Sequence, residues 1–102
     1  MPFNGQEGEE ITLQEAAALT ASYRAQNPDS TKCHFMGKEI INAILAQTGC
    51  VGIRTYYGLN TDGTREIILV GVDVNGDDMT NLIADRAIPC PNVCSRKNGL
   101  NS

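Results

Sequence analysis

Residues 49–73 read GCVGIRTYYGLNTDGTREIILVGVD. Two runs rich in Val, Ile, Thr and Tyr, residues 51–59 and 65–74, flank a five-residue turn segment, Asn60-Thr61-Asp62-Gly63-Thr64. β-Branched and aromatic residues on either side of Asn, Asp and Gly predict a β-hairpin. In the first strand Val51, Ile53, Thr55 and Tyr57 share one face, and Gly52, Arg54, Tyr56 and Gly58 share the other. The second strand is apolar almost without interruption from Ile67 to Val72. Such a run predicts an inner strand, covered on both faces or paired on both edges. A two-stranded hairpin alone is only marginally stable. Further segments of the chain, or a second copy, must complete the sheet, so self-association through a sheet edge is expected.

Upstream of the hairpin the pattern changes to helical spacing. Thr12 and Glu15 form a capping box, in which each side chain satisfies an orphan backbone N–H at a helix start. Leu13, Ala16, Leu19 and Tyr23 follow three or four apart, and Asn27-Pro28 ends the helix because a residue before proline avoids the α region. A second helix is predicted over residues 37–48, with Ile40, Ile41, Ile44 and Leu45 as its apolar stripe and Gly49 as its left-handed terminator. Downstream, Asn75-Gly76 marks a turn. Asp77 or Asp78 then caps a short third helix carrying Met79, Leu82 and Ile83, or else the chain loops to an edge strand near Ile88. Residues 1–10 are acidic and Gly-rich, which predicts a mobile segment, and residues 89–102 an irregular tail. The expected fold is therefore α+β: two N-terminal helices packed on a small antiparallel sheet built around the hairpin, one domain over residues 11–102.

The chain has 102 residues, 41% of them hydrophobic and only 5% aromatic, so its core is aliphatic. The formal net charge is −4 and no basic stripe occurs. Phosphate-driven nucleic-acid binding and adhesion to anionic membranes are both disfavoured. No apolar run reaches the roughly 20 residues of a membrane span, and nothing like a secretory leader opens the chain. The expected setting is cytoplasmic, with reduced thiols.

The elements GKEI at residues 37–40, ILAQ at 44–47, GIR-x-YYG at 52–58, VGVD at 70–73 and PCP-xx-CS at 89–95 together resemble a pattern of small uncharacterised bacterial proteins of Bacteroidetes type. The resemblance covers the chain from about Thr12 onward. It implies one intact domain, and it carries over no activity and no catalytic residue.

Two sets of residues are candidates for chemistry. The first is Cys90 and Cys94, whose spacing suits a shared zinc ion or a small disulfide loop. Cys33 with His34, or Cys33 with Cys50, would be the complement for a metal. Packed, unreacted cysteines are the plainer alternative. Cys33 and His34 are sequence neighbours, which on a strand point to opposite faces and make a poor nucleophile–base pair. The second set is Arg54, Tyr56 and Glu66, which could line a groove on the exposed sheet face or simply pair across strands. Residues 73–78, DVNGDD, imitate a calcium loop but place Asp78 where that loop needs Gly and Ala84 where it needs Glu. No nucleotide, zinc-protease or nucleophile-elbow motif occurs. The expectation is a non-catalytic binding or assembly module without cofactor or resident metal, with a protein or small molecule as partner. The alternative is a small thiol- or metal-dependent protein using Cys90 and Cys94.

Overall fold

The computed structural model describes residues 1–101. In chain order the elements are α1 (Leu13–Gln26), β1 (Cys33–Phe35), α2 (Lys38–Leu45), β2 (Cys50–Leu59), β3 (Arg65–Asp73), β4 (Asp78–Ala84) and β5 (Ile88–Cys90). They fall into two compact units, residues 1–7 with 35–87 and residues 8–34 with 88–101.

The first unit is the hairpin and what packs on it. Strands β2, β3 and β4 form an antiparallel sheet in that order. The hairpin register pairs Leu59 with Arg65, Tyr56 with Ile68 and Arg54 with Val70. Its turn is held from within: the Asp62 carboxylate accepts the Thr64 backbone N–H at 3.0 Å and the Thr64 hydroxyl at 2.7 Å, while Gly63 adopts a φ of +87°.

The segment read as a possible third helix is strand β4. Asp78 is therefore no helix cap; it pairs with Val72 across the sheet. This third strand explains the apolar run of β3, which lies between two neighbours within one chain. The register jumps from Val70–Ile83 to Gly71–Met79, so Thr80, Asn81 and Leu82 have no opposite number on β3.

Helix α2 covers one face of the sheet. It is shorter than its sequence suggests, ending at Leu45 with Ala46 as cap, and Gly49 supplies a positive φ of 87° in the turn that follows. Ile44 is wholly buried and clusters with Leu69 and Ala84, with Ile40, Ile41, Ile53 and Ile67 packed around them.

In the second unit Thr12 caps α1, its hydroxyl oxygen accepting the Glu15 N–H at 3.0 Å. No residue of α1 is fully buried; the half-covered stripe runs through Ala16, Ala17, Thr20, Tyr23 and Arg24, while Leu13 and Leu19 are exposed. The tail is anchored to this helix. The Arg24 guanidinium donates to the Leu100 carbonyl at 2.5 Å, and Gly99 lies close to Leu13 and Ala17. Strand β1 pairs with β5, and the Lys32 N–H donates to the Cys90 carbonyl at 2.8 Å.

Candidate functional site

The sheet face opposite the Ile44 cluster carries a polar network. Even-numbered residues of β2 and β3 point to this face. Arg54 and Tyr56 reach it from β2 and Asp78 from β4. The Arg54 guanidinium donates to the Asp78 carboxylate at 2.6 Å and to the Gly76 carbonyl at 3.1 Å. The Tyr56 hydroxyl donates to the other carboxylate oxygen of Asp78. These bonds, Tyr56 first and then Arg54, hold Asp78 below the usual carboxylate range. In return Asp78 raises the Tyr56 phenol above its ordinary value. The Phe3 ring closes the group, its centroid 5.8 Å from the Arg54 guanidinium carbon. Beneath this layer Val70 and Val72 are buried.

Phe3 is placed by its own backbone. Its N–H donates to the Val74 carbonyl at 3.1 Å, and its ring packs beside Gly76. The Glu7 carboxylate accepts the N–H groups of Asn4 and Gly5, each at 2.9 Å, and these bonds lower its pKa. A Cβ placed on Gly5 would stand 3.1 Å from the Val51 carbonyl oxygen, so this segment runs against the start of β2. Between them lies a recess of about 290 Å³, lined by Phe3, Gly5 and Glu7 on one side and by Val51, Ile53 and Arg54 on the other.

Beyond Val51 the outer edge of β2 meets no further strand, and its first residue there, Ile53, borders the recess. The Asn60 N–H donates to the Thr64 carbonyl at 2.8 Å. In an antiparallel ladder hydrogen-bonded and non-bonded positions alternate. Gly58, Tyr56 and Arg54 therefore turn their backbone groups to β3, and Ile53, Thr55, Tyr57 and Leu59 turn theirs outward. No backbone partner meets those four residues among the described residues. Two of the four carry large exposed side chains: Tyr57 is 88% and Leu59 74% exposed. The opposite edge of the sheet, on β4, is interrupted by the unpaired residues 80–82. A bulge of this kind blocks edge pairing.

Of the residues singled out in the sequence, Arg54 and Tyr56 meet at one carboxylate. Glu66 shares their face but sits at the hairpin end, where it accepts from the Asn60 amide at 3.2 Å. Asp78 and Phe3 were missed. By sequence Asp78 is, with Asp77, a candidate cap for a short helix, and Phe3 lies in a stretch whose composition signals mobility.

Cys90 and Cys94 lie at disulfide distance, with Cα atoms 4.9 Å apart; Cys90 is buried and Cys94 exposed. Cys33 is an exposed free thiol on β1 beside half-buried His34, and Cys50 is a half-buried thiol in the first unit. No three His, Cys, Asp or Glu side chains among the described residues are placed to hold a metal ion together. The calcium-like segment acts as a turn: the Asp73 carboxylate accepts the N–H groups of Asn75 and Asp77 at 2.9 and 3.1 Å.

No known protein family, no curated protein and no solved structure matches this chain. Among the described residues, no helix is long and apolar enough to cross a membrane.

Proposed function

We propose that this chain is a non-catalytic assembly module that joins copies of itself through the open edge of β2. The observation that carries the reading is the row of outward backbone groups at Ile53, Thr55, Tyr57 and Leu59. Such an edge is a template for a further strand, with main-chain hydrogen bonds for affinity and flanking side chains for specificity. The exposed Tyr57 and Leu59 side chains add apolar area to be covered. The polar network behind the edge supports recognition rather than reaction. The Arg54 charge is engaged by Asp78, Gly76 and Phe3.

Thr55→Pro tests this reading. The Thr55 N–H faces outward, so proline there removes an edge donor and leaves the ladder to β3 intact. At high micromolar concentration, light scattering should report an assembly for the native chain and a monomer for the variant, with the same circular dichroism. A native chain that stays monomeric at that concentration sinks the proposal.

A second reading has one observation behind it. Cys94, an exposed residue bonded to buried Cys90, suits a thiol–disulfide role for the tail. Its mark would be exchange with a substrate dithiol, which leaves as a disulfide while the Cys90–Cys94 pair is reduced to two thiols, under conditions in which the rest of the fold persists.

A further inference from the structure

We infer that the assembly is a closed two-fold dimer in which β2 pairs antiparallel with β2 of a second copy, with Tyr56 opposite Tyr56. This rests on the assembly reading and adds the partner's register.

The free part of the edge sets the limits. At its start the Val51 carbonyl is approached by Gly5, which closes that position to another strand. At its end the strand stops at Leu59 and the Asn60 N–H turns inward. The usable stretch is Ile53 to Leu59, and its midpoint is Tyr56. A two-fold axis there is the placement that engages all four outward residues of both copies. Ile53 then meets Leu59, and Thr55 meets Tyr57. Each of these is a hydrogen-bonded pair, because both members turn their backbone groups outward.

The side chains agree with this register. Ile53 opposite Leu59 joins two apolar groups, and the exposed Leu59 is covered. Tyr56 opposite Tyr56 is a non-hydrogen-bonded pair, the closer kind, in which aromatic rings contact well. Each Tyr56 ring is already oriented by its bond to Asp78. Arg54 falls opposite Gly58, which carries neither side chain nor charge. A shift of the axis to Arg54 would place like charges opposite each other, and a shift to Tyr57 would leave Ile53 without a partner. Because the interface is the same patch on both copies, it closes at two chains rather than growing into a fibre.

Cysteine cross-linking in a Cys33→Ser background reads the register. Cα atoms of a non-hydrogen-bonded pair lie about 4.5 Å apart, which a disulfide spans. Tyr56→Cys should form covalent dimers under air oxidation about tenfold faster than Thr55→Cys or Tyr57→Cys alone, as proximity raises the effective thiol concentration. An equimolar mixture of Thr55→Cys and Tyr57→Cys should link as mixed dimers, which keeps the test valid if loss of the Tyr56 ring weakens the fold. Self-linking of Thr55→Cys in preference to that mixture overturns the register while leaving edge assembly standing. Absence of links in every variant, with a native chain that is monomeric by light scattering, overturns both.

Discussion

Gly71 of β3 lies directly beneath Ile44 of α2: a Cβ on Gly71 would stand 3.2 Å from the Ile44 Cγ2. It would also meet the Cys50 sulfur at 3.0 Å and the Gln47 amide nitrogen at 2.8 Å. The absent side chain lets the helix end settle onto the central strand. Ile44, fully buried, fills the space so created.

The pair predicts two opposite errors of packing. Ile44→Ala leaves a cavity and should lower stability by about 2–5 kcal/mol. Gly71→Ala overfills the same place and should cost about 1–3 kcal/mol. Urea denaturation checks both; an unchanged midpoint and slope for Ile44→Ala would refute the assignment of the core.

The Asp78 network predicts a pH signature. The folded pKa of Asp78 is depressed, so its contribution is present above the unfolded value, near 3.8, and is lost as pH falls through the lower folded value. The Tyr56 phenol is raised, so its contribution is complete below about 10.0 and fades as pH climbs through the raised folded value. Tyr56→Phe removes the hydroxyl bond that does most to hold Asp78 below the usual carboxylate range. Carboxyl titration by NMR should then show Asp78 moving up toward the ordinary range, still somewhat lowered by Arg54. No movement would show that the hydroxyl does not hold the carboxylate.

The cysteine pair closes a loop of only five residues, so its stabilisation belongs near the lower end of the usual range, about 2 kcal/mol. Cys90→Ser with Cys94→Ser should fold and melt at the midpoint of the dithiol-treated native chain. The double variant itself should not respond to the reductant. A variant that stays unfolded, together with one equivalent of zinc on the native protein, would favour a metal site instead.

Asp73 organises the turn between β3 and β4 through two backbone N–H groups. Asp73→Ala should cost on the order of 1 kcal/mol, as other local side-chain to backbone bonds do. Millimolar calcium should leave the native thermal midpoint where it is. A calcium-dependent rise abolished by Asp73→Ala would restore the cation reading of residues 73–78.

The hairpin was legible because its signals are local. Alternating side chains, the Asp62-Gly63 turn and the β-branched content all act within a few residues. The Thr12–Glu15 cap and the apolar stripe of α2 were legible for the same reason. Strand β4 was not. Its unpaired residues 80–82 break the two-residue period, and the result spaces Met79, Leu82 and Ile83 as a helix would. Likewise Arg54 and Tyr56 could be put on one face from parity alone, but their shared partner comes from a strand whose register is set by that bulge. The amino-acid sequence determined the hairpin with its turn and the two helices, since those preferences are properties of short stretches of chain. Tertiary structure decided that β3 is central and β2 is the open edge, because strand order depends on which long-range pairings bury the Ile44 cluster, and no short stretch carries that information.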